Sequence, residues 1–346
     1  MSNDYWQKYV TKFGILYLYS AYYDIRRKTK LGSTIRIIAM ADRVLINDTK
    51  LDCLMWYNEN DDPLISNKRV EITAMNPKTG DWKSNESRTP ENYRPYLLTC
   101  YVSQHKNDHV PLAVSIIESD AKIIDCFNPS NYLKVVHNLK KGKDKKKFAV
   151  CVRGLYLLED ISLRLIEWIE LVSLMGASQI FLYVLHIPNE VEKVLNYYAT
   201  KGLVVLSKTT LPGNQPNEPI LQNKYLKEAY YPEIYNEIIH LNDCFYRNIY
   251  RYEYIVNEDI DDVVMPRNGT WIDLLPYFDK DKAFHAASMV NFFDNLSPSG
   301  KWKGPTKTEN LYGKTESGRA YMHMLDHIYR SKNPTGDRKK SFLGTF

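Results

Sequence analysis

The sequence predicts an α/β protein, with a mainly parallel, mixed sheet that has helices on both faces and follows a smaller β-rich region. Two observations lead to this prediction. Before about residue 147, short segments of β-type patterning are separated by clusters of Asp, Asn, Gly and Pro. After it, strand-like and helix-like segments alternate, which is typical of a parallel sheet. At 346 residues the chain is long for one core, so we expect two domains, residues 1–146 and residues 147–346.

The first region is predicted to be a small antiparallel β domain. Its strands are expected at Ser33–Ala39, Val70–Met75, Tyr96–Val102, Val110–Ile117 and Lys122–Phe127. Short strands at this spacing, separated by turn-forming residues, are typical of such a domain.

The second region opens with a strand, a helix and another strand. Phe148–Val152 is a short apolar run that forms the first strand. Ile161–Met175 carries apolar residues at helical spacing, and Gly176 follows it as a stop signal. Gln179–Leu185 has the continuous apolar character of a strand that is buried on both faces.

The alternation continues to an acidic cluster. The expected elements are a helix from Pro188-Asn189 to Gly202, a strand at Leu203–Ser207, a helical region to about Tyr250 that is broken near Pro232, and a strand at Tyr252–Asn257. The last strand runs directly into Glu258-Asp259-Ile260-Asp261-Asp262. Ligands of parallel sheets bind at the carboxyl ends of the strands, so this cluster is the best-placed candidate site.

Composition excludes several classes of protein. The formal net charge is +5, and much of the excess lies in the run Lys140–Lys147, so no nucleic-acid partner is expected. The chain lacks both an apolar stretch of roughly 18 residues and a signal peptide, so as given it is expected to be soluble. The five cysteines form no C-x-x-C pair, which excludes a zinc ribbon. Sequons at Asn47, Asn85, Asn268 and Asn295 permit a secretory lumen.

Asp259 and Asp261 are predicted to hold a divalent cation. They lie two residues apart directly after a strand, so both carboxylates can approach one ion once the chain turns. Mg²⁺ and Mn²⁺ are commonly held by one or two protein carboxylates, while water and phosphate oxygens complete the shell. Such an ion compensates the charge that accumulates on a diphosphate leaving group. The alternative is a chance D-x-D pair in an acidic stretch.

Several separated motifs resemble glycosyltransferase family 92 in order and spacing. They are Leu18–Arg26; Phe148–Val152; Trp168-Ile169-Glu170 with Gly176; Tyr183; Tyr197 with Gly202; Asn242-Asp243-Cys244 with Arg247; and Tyr254–Asp262 with Pro266. The resemblance covers most of the chain and is strongest from Phe148 to Pro266.

The resemblance implies a GT-A-type catalytic domain from residue 147, in which Asp259 and Asp261 form a metal-binding D-x-D motif for Mn²⁺ or Mg²⁺. It also implies hexosyl transfer with inversion from a UDP-sugar donor, typically UDP-galactose, to a glycan or glycoprotein acceptor. Asp262 stands where the family usually has Glu, which keeps the charge but shortens the reach, and we assign it to donor binding.

Two features of the family's full-length proteins bear on localisation. Members usually have one N-terminal transmembrane helix and a catalytic domain in the Golgi lumen, and they continue past the segment that corresponds to Lys339–Phe342. The resemblance therefore implies a chain truncated at both ends, with an incomplete catalytic domain and membrane contact only through an anchor outside it.

The remaining site candidates are less specific. Asp243 and Arg247, one helical turn apart, either meet the donor's nucleotide or pyrophosphate or pair with each other. Asp294 is the candidate for the catalytic base, and the aromatic residues around it, with Trp302, form either an acceptor platform or core packing. His323 and His327 have zinc-ligand spacing, but the Glu of H-E-x-x-H is absent, so helix-surface histidines are favoured.

Two other functions remain open. A metal-dependent phosphohydrolase would use the same acidic cluster with a second metal about 4 Å away, and it would release phosphate without an acceptor. A non-catalytic carbohydrate-binding protein would bind glycans independently of metal and UDP.

Overall fold

A computed structural model describes the protein over most of its length. The described residues are 5–26, 32–43, 45, 49–58, 62–75, 93–102, 110–120, 129–139, 145–228, 230–279, 284–286 and 327–330. Within them the chain forms two compact units. The first contains Met1–Lys143 and Lys208–Arg251, and the second contains Asp144–Ser207 and the chain from Tyr252 to Pro334. The predicted domain boundary at residue 146 concerns function as well as packing, and it stays a prediction.

The described part of the chain contains strands β1–β15 and helices α1–α5. The strands are β1 (Gln7–Thr11), β2 (Gly14–Asp24), β3 (Thr34–Ala41), β4 (Leu51–Trp56), β5 (Leu64–Ile65), β6 (Glu71–Ala74), β7 (Arg94–Tyr101), β8 (Ala113–Glu118), β9 (Leu133–Val136), β10 (Lys146–Tyr156), β11 (Ala177–His186), β12 (Val204–Lys208), β13 (Tyr252–Asn257), β14 (Phe284–Ala286) and β15 (His327–Arg330). The helices are α1 (Ser162–Met175), α2 (Asn189–Thr200), α3 (Pro219–Glu228), α4 (Tyr230–Asn248) and α5 (Trp271–Leu274), the last of which continues into a 3-10 turn at Leu275–Tyr277.

The first unit is built on a mixed sheet of the order β5-β4-β8-β9-β2-β3-β7-β6, with β1 paired to β2. β2 is long enough to share one edge between two partners, because β1 pairs with its first half and β9 with its second half. The pairing of β2 with β9 is parallel, whereas its pairing with β3 is antiparallel. The prediction of a purely antiparallel region is therefore wrong at this pair, since β9 is antiparallel to β8 but parallel to β2.

The sheet of the first unit curls so that distant strands face each other across a core. Cys53 of β4 and Cys100 of β7 form a disulfide, although five steps separate β4 from β7 in the sheet order. Next to it, Ser66 donates its backbone N–H to the carbonyl of Cys53 and its hydroxyl to the carbonyl of Tyr101. The core between them is aliphatic and includes Ile35, Ile37, Leu98 and Ile116.

Helices α3 and α4 also belong to the first unit. α4 packs across β2, β3 and β7 and contacts α3. α3 ends at Glu228 and α4 begins at Tyr230, and residue 229 between them lies outside the described residues, so the predicted break near Pro232 stays a prediction. Pro232 occupies the first turn of α4, where its missing N–H is tolerated. In the sequence these helices fall within residues 147–346, and in the structure they cover a face of the β-rich sheet of the first unit.

The second unit contains a sheet of the order β12-β11-β10-β13-β15-β14. β10 pairs in parallel with both β11 and β13, while β15 is antiparallel to β13 and to β14. The predicted α/β class with a mainly parallel, mixed sheet is confirmed, and β13 has the predicted bounds.

Helix α1 forms where the apolar spacing predicts it, and its buried residues are Leu165, Trp168, Ile169 and Val172. It ends at Gly176, whose φ of +121° is a conformation that other residues adopt only with strain. α1 contacts α2 and β11, and both helices contribute to one core with the inner face of the sheet.

The predicted strands of the first region correspond to β3, β6, β7 and β8, whereas Lys122–Phe127 lies outside the described residues. β1, β2, β4, β5 and β9 were not predicted. Among the described residues, no helix is both long enough and apolar enough to cross a bilayer.

Candidate functional site

The acidic loop, residues 258–264, follows the central strand β13 in the second unit. Asp259, Asp261 and Asp262 each place a carboxylate oxygen within 4.8 Å of the others. The loop turns sharply, because the backbone N–H of Asp262 donates to the carbonyl of Asp259 over 3.0 Å. This turn brings together three carboxylates that the sequence separates by at most three positions. Asp262 is 8 % exposed, and the other two are half-buried.

The loop lies at the carboxyl edge of the parallel strands. β10 and β13 align Cys151 with Asn257, and Glu258 extends the ladder by donating its N–H to the carbonyl of Cys151 over 3.2 Å. Two residues further along each strand, Nε of Arg153 lies 3.2 Å from Oδ1 of Asp259. The arrangement therefore places a guanidinium beside the carboxylates.

Arg153 was missed by sequence reasoning. The signal was present in part, since a parallel pairing of the two strands in this register places residue 153 beside residue 259. The register itself could not be obtained from the apolar patterns of the strands, so the contact became visible only in the structure.

Glu258 is the most buried acidic residue of the loop, with 2 % exposure. Its Oε1 accepts the backbone N–H of Val264 over 2.8 Å, and its Oε2 is buried without a hydrogen-bond partner in the described part of the chain. Burial raises the pKa of this carboxyl to about 8, and the neighbouring charge of Asp259 acts in the same direction. Glu258 thus differs from the three aspartates in environment as well as in position.

The profile of glycosyltransferase family 92 matches residues 146–325, just over half of the chain. The chain belongs to glycosyltransferase family 92. Comparison with curated proteins gives no match. The matched region begins at the first residue of β10 and includes the acidic loop. Family 92 membership makes the chain a glycosyltransferase, a class of enzyme that moves a sugar from a nucleotide-sugar donor to a glycan acceptor.

Two donor-binding candidates of this glycosyltransferase, Asp243 and Arg247, lie together on α4 in the first unit. Nη2 and Nε of Arg247 donate to Oδ2 of Asp243 over 2.8 and 3.2 Å, and the hydroxyl of Tyr22 donates to Oδ1 over 2.5 Å. Asp243 is fully buried, whereas Arg247 keeps about a third of its side chain exposed. The two residues therefore pair with each other, which was one of the two alternatives given from the sequence. Their role in donor binding stays a prediction.

Three of the less specific site candidates cannot be placed. Asp294, Trp302 and His323 lie outside the described residues. The backbone of His327 belongs to β15, and no contact of its side chain is described. The predicted helix-surface position of His327 is therefore wrong, because its backbone is extended and pairs with β14.

Proposed function

We propose that this family 92 glycosyltransferase moves a hexose, galactose from UDP-galactose, to a glycan acceptor with inversion in a metal-dependent reaction. The observation that supports the metal-dependent donor site is the convergence of three carboxylates within 4.8 Å at the end of a central parallel strand. Donor identity and inversion come from the resemblance to the family.

The residues of the acidic loop suit a hard divalent cation. Asp259, Asp261 and Asp262 offer carboxylate oxygens, which Mg²⁺ and Mn²⁺ prefer, and their spacing permits one or two of them to reach a single ion. Asp259 and Asp261 are the ligands of this proposal, and Asp262 orients the donor. A bound ion would neutralise the charge that develops on the diphosphate leaving group.

Arg153 supplies a second positive charge at the same edge of the sheet. Its guanidinium already pairs with Asp259, and it presents planar donors of the kind that bind phosphate oxygens in pairs. In the proposed reaction Asp259 coordinates the metal, and the guanidinium of Arg153 then binds the donor's diphosphate. The pair with Asp259 keeps the guanidinium oriented before the donor arrives.

An inverting transfer also needs a base on the acceptor side of the anomeric carbon. A carboxylate there removes the proton from the acceptor hydroxyl as that hydroxyl attacks. Asp294 remains the proposed base, and this assignment rests on its place in the sequence beyond the metal strand.

The donor site can be tested by calorimetry. UDP is titrated into the protein with and without Mn²⁺, and the same titrations are made with Asp261→Asn and with Glu167→Gln. Glu167 is an exposed acid on α1 and matches the lost charge without touching the loop. We expect metal-dependent binding that Asp261→Asn abolishes and Glu167→Gln preserves. Binding that is indifferent to metal and to Asp261→Asn would remove the assigned site.

We also propose that the catalytic region works in the lumen of the secretory pathway, in the Golgi. The disulfide between Cys53 and Cys100 is of a kind that persists in oxidising compartments. Asn268-Gly269-Thr270 is a sequon whose asparagine is exposed in a turn. Secretory expression should therefore give a product that loses mass on deglycosylation, and Asn268→Gln should reduce that loss.

A further inference from the structure

We propose that Trp168 and Trp271 are positioning residues, whose indole N–H groups hold the acidic loop in the conformation that brings its carboxylates together. This inference rests on the proposed metal-dependent function. It extends that function by naming what fixes the geometry of the ligands, in residues that do not themselves touch metal or donor.

Each indole bonds to the backbone of the loop. Nε1 of Trp168 on α1 donates to the carbonyl of Asp262 over 2.8 Å. Nε1 of Trp271 on α5 donates to the carbonyl of Val264 over 2.7 Å. Both distances are typical of N–H···O hydrogen bonds. One bond connects the loop to α1, which is remote in the sequence, and the other connects it to α5, which follows the loop. The loop is therefore held at two carbonyls, one within the carboxylate cluster and one just after it.

Burial makes each of these hydrogen bonds costly to break. Trp168 is 1 % exposed and Trp271 is fully buried, so neither indole can donate to water instead. A buried N–H without an acceptor is costly, which means that both donors are satisfied only while the loop keeps this course. The two tryptophans thus favour one loop conformation over its alternatives.

The side chains of the loop are anchored in the same place. Val263 and Val264 are buried in the core that also contains Trp168 and Trp271. The amide of Val264 donates to Oε1 of Glu258, which closes the loop on itself. The apolar end of the loop is consequently fixed in the core, and the acidic end is left at the edge of the sheet.

The second tryptophan is itself fixed from both sides. Its ring meets the ring of Phe148 edge-on at a centroid distance of 5.5 Å. Thr270 and Asp273 form a capping box that starts α5 at Trp271. Gly269 precedes the box with a φ of +75°, and a side chain there would collide with Asp273. The position of the indole is therefore determined locally.

A restraint of this kind is needed because like charges repel. Three carboxylates within 4.8 Å favour a loop that opens and separates them whenever no cation lies between them. Fixing the backbone at the carbonyls of Asp262 and Val264 opposes that opening. The cost of assembling the ligands is then met during folding rather than at each binding event.

The test compares Trp168→Phe and Trp271→Phe with Ile169→Ala. Phenylalanine keeps an aromatic ring and removes the N–H, whereas Ile169→Ala creates a cavity in the same core beside Trp168 without removing a bond to the loop. Mn²⁺ affinity is measured by calorimetry, and the exchange of the Asp262 and Val264 amides is followed by NMR. Thermal unfolding of each variant shows how far it is destabilised.

We expect each Phe variant to lower Mn²⁺ affinity by about ten-fold or more, the effect typical of groups that orient metal ligands, and to speed exchange of both amides. Ile169→Ala should lower the unfolding temperature without either change. The two Phe variants are independent, so one that fails to fold leaves the other as a test.

The proposal is overturned if the Phe variants bind Mn²⁺ like the wild type, or if Ile169→Ala weakens binding as much as they do. Wild-type protein that binds no Mn²⁺ would contradict the proposed function instead. In that case amide exchange alone decides whether the two indoles restrain the loop, because that readout does not depend on metal.

Discussion

Removing the guanidinium of Arg153 should move two affinities in opposite directions. The change is Arg153→Gln, which keeps a polar side chain and loses the charge that lies 3.2 Å from Asp259. Because the guanidinium of Arg153 competes with the metal for the Asp259 carboxylate, the variant should bind Mn²⁺ alone more tightly. Because the same guanidinium is proposed to bind the diphosphate, the variant should bind UDP more weakly when Mn²⁺ is saturating.

The magnitudes follow from the exposure of the pair. Arg153 and Asp259 each keep about a third of their side chains exposed, and pairs of this kind contribute about 0.2–1 kcal/mol. Losing that competition tightens Mn²⁺ binding by up to about five-fold. A hydrogen bond to a charged group contributes about 1.5–3 kcal/mol, so UDP affinity should fall by about ten-fold or more.

Calorimetric titrations with Mn²⁺, and then with UDP at saturating Mn²⁺, measure both changes. Arg267→Gln is the matched control, since it removes an exposed positive charge from the chain just after the acidic loop. It should leave both affinities within about two-fold of the wild type, as expected for a screened surface charge. An Arg153→Gln variant in which both affinities fall, or in which UDP binding is unchanged, would refute the reasoning.

Three further predictions concern the first unit. Removing the Cys53–Cys100 disulfide, which spans 47 residues, should lower the free energy of unfolding by about 4 kcal/mol on chain entropy. The double variant Cys53→Ala with Cys100→Ala should therefore unfold at a lower temperature than the wild type, and an unchanged temperature would count against the bridge. Burial lowers the pKa of His240 to about 4, so the unfolded chain binds a proton at this residue first as the pH falls below about 6.5, and the free energy of unfolding should decrease by up to about 3 kcal/mol by pH 4. His240→Gln should make the free energy of unfolding from urea titrations depend less on pH, and an equal pH dependence in the variant and the wild type would contradict this. Asp24→Ala should lower the free energy of unfolding by about 3–5 kcal/mol, because it leaves the two buried side chains of Arg26 and Arg36 without their carboxylate. Asp120→Ala, at an exposed ion pair, should have no measurable effect, and equal urea midpoints for the two variants would contradict this.

The second unit was largely predictable because its signals are local. α1 shows helical spacing and ends at a glycine with positive φ, and β13 has the predicted bounds. The acidic loop was also predictable, since it directly follows β13 and parallel strands end at a common edge. In each case a short stretch of sequence carries the periodicity, the stop signal or the charge.

What the sequence did not reveal depends on partners that are distant in the chain. β2 reads as a continuous aromatic and aliphatic run because both of its faces are buried, so it lacks the alternation that marks a half-exposed strand. The packing of α4 on that sheet requires the tertiary arrangement, as does the pairing of Cys53 with Cys100. The bond from Trp168 to Asp262 was hidden for the same reason, since a buried tryptophan at helical spacing is equally consistent with simple core packing. The bond from Trp271 to Val264 is local, but the sequence pattern does not show that the indole turns back toward the loop.

The most direct test of the central claim is donor turnover. Release of UDP from UDP-galactose is measured with and without Mn²⁺ and with and without a panel of glycan acceptors, for the wild type and for Asp261→Asn. We predict release that needs both metal and an acceptor, accompanied by a galactosylated product, and that Asp261→Asn abolishes. Phosphate release without any acceptor, or turnover that is unaffected by chelator and by Asp261→Asn, would contradict the account.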